Sequence, residues 1–268
     1  MPKQWQGLIF SLAVLAMFLI LAPEIQSPGA IINQTIGQTS VTISPAANFP
    51  DQTNNLNIET HSAIAKEIGN GKIFYEFNPE QRWPLASLTK LMAVVAATEN
   101  IPQSAERDNL IKKMMVVSDN EAAERLAQML SPEKFVKIMN DKAARLKMEQ
   151  TSFFDATGLS FLNQSTVKDL DRLVTYISKN HPQIFQWSRE SSVMIDGLIY
   201  NNINQFAGQP DFLGGKTGWT EDANGNLISL FSGNGKPLVI IVLGASTKNE
   251  RFAQTEHLKK WTSQSFRQ

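Results

Sequence analysis

Apolar residues recur at helical spacing through the middle of the chain. In STVKDLDRLVTYISKN, Leu170, Leu173, Val174 and Ile177 stand at i, i+3, i+4 and i+7, one face of a helix. In SPEKFVKIMNDKAARLKM, Phe135, Ile138, Met139 and Leu146 share a face, with Ser131 placed to cap and Pro132 at the first helical position. Further helices are predicted from about Ser87, over roughly Arg107–Val117, over Glu121–Leu130 and, closing the chain, over Glu250–Phe266. The period changes on either side of this block. HSAIAKEIGNGKIFYEFN reads as strand, Gly-Asn-Gly turn, strand. The last third predicts strands at Ser192–Tyr200, Phe212–Thr217, Asn226–Ser232 and Pro237–Ala245, the last two joined by a turn at Gly233–Gly235. Strands at both ends with helices between them predict an α/β chain of the α+β type. Hairpin-connected strands pair into one antiparallel sheet, the helical block packs beside it, and a cleft between the two layers is the natural place for a site.

The first residues follow a different pattern. No charged residue stands between Gln4 and Pro23, and Leu8–Ala22 is apolar except for Ser11, with Lys3 in front. That matches an export signal over residues 1–22, and it is short for a membrane span. Ser27 and Gly29 are spaced for a cut after Gly29; left uncut, the segment anchors the protein in a membrane. Either way the working part is expected outside the cytoplasm. Residues 23–57 carry only Glu24 and Asp51 as charges and are rich in Thr, Asn, Gln, Ser and Pro. They read as a polar tether with a short strand at Ser40–Ile43. The folded domain is expected over 58–268.

Composition narrows the chemistry. At 42% hydrophobic and 19% charged, the 268 residues fill a real core. Lys+Arg and Asp+Glu both number 25, so no basic footprint for a nucleic-acid partner exists. There is no cysteine, which removes disulfides, thiolate metal sites and cysteine nucleophiles together. His61, His181 and His257 are scattered, so neither a metal site nor a Ser-His-Asp triad is expected, and no cofactor is implied.

Three short motifs carry chemistry. In WPLASLTKLMAV, Ser87 and Lys90 lie one helical turn apart on one face. A serine hydroxyl needs a base, and a lysine serves if burial lowers its pKa, as the apolar flanks favour. Alone, the pair is a weak signal and reads more simply as a surface lysine beside a capping serine. Ser118-Asp119-Asn120 falls between two helices, where all three residue types are good N-caps. Lys216-Thr217-Gly218, followed by Trp219, ends a predicted strand. A lysine, a hydroxyl and a glycine there suit a carboxylate, and equally an edge strand running into a turn. Ser-x-x-Lys, then Ser-x-Asn, then Lys-Thr-Gly, in that order on helix, loop and strand, is the signature of penicillin-binding proteins and class A β-lactamases.

From about His61 to Phe266 the sequence resembles the low-molecular-mass penicillin-binding proteins, the serine D-alanyl-D-alanine carboxypeptidases. Beyond the motifs, GKIFYEFNPEQRWPLASLTKLMA, TSFFDATGLSFLNQSTVKDLDRLV and GGKTGWTEDANGNLISLFSGNGKPLVIIVLGAS look like family segments. The resemblance implies a β-lactamase/DD-peptidase-like fold, an antiparallel sheet flanked by helices with an all-helical subdomain. It implies removal of the terminal D-alanine from peptidoglycan stem peptides, with β-lactam antibiotics as covalent inhibitors. By resemblance, Ser87 attacks the penultimate carbonyl, Lys90 is its base and Ser118 relays a proton to the leaving amine. Asn120 binds the peptide amide, and Lys216, Thr217 and Gly218 hold the terminal carboxylate. The backbone amides of Ser87 and Trp219 form the oxyanion hole. Ser87 and Ser118 are only 31 residues apart, shorter than the family pattern. A class A β-lactamase is a further reading, but the Glu-x-x-Leu-Asn pattern it needs is missing between Asn120 and Lys216. A peptidoglycan- or penicillin-binding module without turnover is the non-enzymatic alternative.

Overall fold

The computed structural model describes residues 56–233 and 235–265, all within one compact unit, Asp51–Gln268. The expected targeting segment, and the tether apart from Leu56 and Asn57, lie outside the described residues. Strands β1 (Ser62–Glu67) and β2 (Ile73–Phe77) form the predicted hairpin. Strand β3 (Trp83–Pro84) enters a single 3-10 turn, Ala86–Leu88, that runs directly into helix α1 (Thr89–Asn100). The helices α2 (Ala105–Val116), α3 (Asn120–Gln128) and α4 (Pro132–Arg145) follow. Next come β4 (Gln164–Ser165), α5 (Val167–Asn180), the short α6 (Gln183–Gln186), β5 (Ser192–Ile195) and β6 (Leu198–Asn201). The chain closes with β7 (Phe212–Thr220), β8 (Asn224–Gly233), β9 (Lys236–Ala245) and α7 (Glu250–Ser265).

Strands from both ends of the chain share one antiparallel sheet of order β2-β1-β9-β8-β7. The seam is β1 against β9, where Ser62 pairs with Leu243 and Glu67 with Leu238. Period-2 alternation splits the side chains between two cores. Ile64, Ile228, Leu230 and Ile241 face the helical block, while Ala65, Leu227, Phe231 and Ile240 pack with Phe252 and Leu258 of α7. Strands buried on both faces carry near-continuous apolar runs, as LVIIVLGA does in β9.

Helix α1 is apolar on all sides and is buried from Thr89 to Ala97, so it forms the centre of the helical block. Caps set its neighbours. Ser104 accepts the Arg107 N–H at the start of α2, and Asp119 accepts the Ala122 N–H at the start of α3. Ser131 caps α4 with Pro132 in its first turn, as the sequence predicts. The short Ser87–Ser118 interval is accounted for by α1, a four-residue link at 101–104 and α2.

Two expectations are corrected. Ser192–Tyr200 is not one strand of the main sheet but the separate hairpin β5–β6, turning at Asp196–Gly197. Both turn residues have positive φ, 52° and 78°, the hairpin geometry that Asp-Gly favours. Ser87 is not in the first turn of an α-helix but in the 3-10 turn before it, on a strained approach described below.

Candidate active site

Lys90 is a fully buried charged side chain on the central helix. Its Nζ lies 3.0 Å from Ser87 Oγ, 2.6 Å from Asn120 Oδ1 and 2.5 Å from the Thr157 carbonyl oxygen. The last two partners only accept, whereas the hydroxyl can donate or accept. A neutral Lys90 that donates to Asn120 and Thr157 therefore has its lone pair left for the Ser87 proton. Burial lowers the Lys90 pKa to about 8, against the opposing pull of the Asp155, Asp119 and Glu124 charges.

Lys216, on edge strand β7, is also buried and points inward. Its Nζ donates to Ser118 Oγ at 2.7 Å and to the Thr217 carbonyl at 2.9 Å. Burial, with the positive charges of Lys90 and Arg251 nearby, holds its pKa well below the ordinary lysine value. Two lysines, each on one serine hydroxyl, thus form two coupled pairs. The cleft beside them, of about 400 Å³, is lined by Ser87, Ser118, Asn120, Thr217, Gly218 and Trp219. Lys90 and Lys216 lie behind this wall on the two serines, and Asp119 caps α3 instead of lining the cleft. Lys216 thus reaches the cleft beside Thr217 through its contact with Ser118.

The backbone around the hydroxyls is strained. Ala86, immediately before Ser87, has φ 48°, and Ser118 has φ 60°, a region side chains other than glycine rarely occupy. Two glycines make room for the nucleophile turn. A Cβ on Gly158 would lie 1.9 Å from the Ala86 carbonyl oxygen, and one on Gly218 would lie 2.9 Å from the Leu85 oxygen. The Gly158 loop is organised by Asp155. Its Oδ1 accepts from the Thr157 and Gly158 amides at 2.7 and 2.6 Å, and its Oδ2 from the Ser160 amide at 2.8 Å. Burial alone would push the Asp155 carboxyl up, but these donors hold it below its ordinary value.

Three supporting residues escaped the sequence reading. Asn226, fully buried in β8, donates to the Pro84 and Leu85 carbonyls and accepts the Gly244 amide. Its signal was a lone amide at the head of the apolar run NLISLF. Arg251 donates to the Gly218 carbonyl at 2.6 Å, and burial brings its pKa down to about 10. Lys248 also lines the cleft, with its Nζ 5.5 Å from the Trp219 ring centroid. Nothing local distinguishes either cation from ordinary surface residues before and within a helix.

Comparison with known proteins bears on the family and the fold. The model of peptidase family S11, D-alanyl-D-alanine carboxypeptidase, matches residues 99–247, which take in Ser118, Asn120 and Lys216–Gly218. The chain is 32% identical to a D-alanyl-D-alanine endopeptidase of Pseudomonas aeruginosa over 83% of each protein. It is 29% identical to one of Escherichia coli, covering 76% of this chain and 77% of that one. Penicillin-binding protein D2 of Listeria monocytogenes, solved in its ampicillin-bound form, superposes with a TM-score of 0.71 at 30% identity, covering 77% of this chain and 98% of that one. The same fold and a family match across more than half of the chain lead to one assignment: the chain belongs to peptidase family S11, the D-alanyl-D-alanine carboxypeptidases.

Proposed function

We propose that this protein is a serine-type D-Ala-D-Ala carboxypeptidase that removes the terminal D-alanine from peptidoglycan stem peptides through an acyl-enzyme on Ser87. The observation that carries this reading is the hydrogen bond between Lys90 Nζ and Ser87 Oγ, made by a lysine whose other two partners are fixed acceptors. Ser87 Oγ attacks the penultimate carbonyl as its proton passes to Lys90. The new O–C bond replaces the C–N bond to the terminal residue, and the leaving nitrogen takes a proton through Ser118, which Lys216 orients. Water then splits the ester and restores the Ser87 hydroxyl. In this reading the amides of Ser87 and Trp219 stabilise the oxyanion, and each donor contributes about 3–4 kcal/mol. Asn120 holds the peptide amide. Thr217 and Gly218 line the place of the terminal carboxylate, whose arrival favours the charged form of Lys216 behind them.

Endopeptidase action on cross-links is the second reading, favoured by the names of the Pseudomonas and Escherichia relatives. The ampicillin-bound relative supports β-lactams as covalent inhibitors. The apolar run Leu8–Ala22 supports export, with a working place outside the cytoplasm and a membrane anchor if the run stays uncut. Intact-mass spectrometry with benzylpenicillin tests the acylating site. One adduct on the wild type and none on Ser87→Ala is the expected result; no adduct on folded wild-type protein overturns the reading. Chromatography of a D-Ala-D-Ala pentapeptide and of a cross-linked dimer after incubation then separates carboxypeptidase, endopeptidase and non-hydrolysing binder.

A further inference from the structure

A second depression adjoins the cleft. It is a groove of about 680 Å³ between the end of α3, the start of α4 and the Asp155 loop. Its lining has two characters. Ala127, Val136, Phe154 and Leu159 supply an apolar floor and wall, and Phe154 and Leu159 are more than half exposed. Glu124 and Glu133 supply the carboxylates. Among the described residues neither is paired with a cation, although other charged residues of the same helices are, such as Arg125 with Glu106 and Lys137 with Asp141. Glu133 also suits the first turn of α4. Glu124, in the body of α3, has no such role.

The groove and the cleft are neighbours. Leu159 lines both. Asn120 and Glu124 are i and i+4 on α3, so the cleft residue and the groove carboxylate are neighbours on one helix face. Glu124 is close enough to Lys90 for its charge to act there. A peptide seated on Asn120 therefore has a side-chain path past Leu159 into the groove. Methylenes fit the apolar floor, and a terminal ammonium meets the two carboxylates, the way a lysine-like side chain divides between apolar and charged surroundings.

From this placement we infer that the groove is a specificity subsite for an amine-bearing side chain of the stem peptide, held by Glu124 and Glu133. The inference rests on the acyl-enzyme reading above. Its test compares acetyl-Lys-D-Ala-D-Ala carrying a free ε-amine with the same peptide acetylated on that amine, in wild type, Glu124→Gln, Glu133→Gln and the double variant. The quantity read is the ratio of kcat/KM for the two peptides within each protein, so that a changed Lys90 environment in Glu124→Gln cancels. The wild type should favour the free amine about fivefold at low salt, in line with a partly exposed charge pair. That ratio should fall toward one in the double variant and in high salt. A wild-type ratio of one, a preference for the acetylated peptide, or a preference kept in the double variant overturns the subsite. Benzylpenicillin, which lacks the amine, is tested in the same preparations. Acylation of Ser87 with a flat ratio removes the subsite alone, whereas no acylation and no hydrolysis remove the catalytic reading and the subsite with it.

Discussion

A lysine in an apolar helix centre must be neutral part of the time or be paired, because burial disfavours its charge. Lys90 has no carboxylate in contact; its partners are a hydroxyl, an amide oxygen and a backbone carbonyl. With a pKa near 8, it is mostly ammonium at pH 7 and mostly free base at pH 9. The rate of benzylpenicillin acylation should therefore rise about tenfold per pH unit below 8 and level off above it, read as a pH profile of the second-order constant. Lys90→Arg keeps the charge and loses the base, and should lower that rate by about 10²–10⁴. Stability follows the same group with a definite sign. The folded pKa is depressed below the unfolded value, so between about 8 and 10.4 the unfolded chain holds more protons and this lysine's contribution to stability rises with pH.

At the scale of elements, the nucleophile is held by the contact of three pieces: the 3-10 turn, the Asp155 loop and edge strand β7. Gly158→Ala forces a Cβ into the Ala86 carbonyl at a backbone angle of φ 88°. The Ala86–Ser87 peptide must move, and a displacement of about 1 Å costs on the order of a hundredfold in rate. The expected outcome is acylation about a hundredfold slower with the far-ultraviolet circular dichroism unchanged. This junction marks the limit of what the sequence reveals. The longer helices, the chain-spanning sheet and the motif residues were legible, because each leaves a period, a cap or a spacing, whereas β3, β4 and α6 are too short to leave one. The break of 192–200 into a hairpin was signalled by Asp196-Gly197, yet the apolar residues on both sides, VMI and LIY, read as one run. The inward turn of Lys216, the strain at Ala86 and Ser118, and the carbonyls bound by Asn226 and Arg251 left no local trace. They depend on distant segments meeting, and no window of sequence contains both partners.

In the whole molecule, Asn226 links the sheet to the turn that carries Ser87. Its side chain is fully buried, and its bond to the Leu85 carbonyl is buried with it. Asn226→Ala leaves two carbonyls and an amide with fewer partners and should destabilise by about 3 kcal/mol. For a domain of this size that is a fall of about 6–12 °C in Tm, measurable by calorimetry. The sheet itself has a history in time as well as a shape. Ser62 waits for Leu243, and no contact of the β1–β9 seam can form until the chain has been made as far as β9. Ser87 and Lys90 are made early; Lys216, Asn226 and Arg251 come late. Such distant pairings make for slow folding. A chain made only as far as α5 carries a serine and its base but no strand β7 against them. The set of residues around Ser87 is complete only in a chain made at least as far as Arg251.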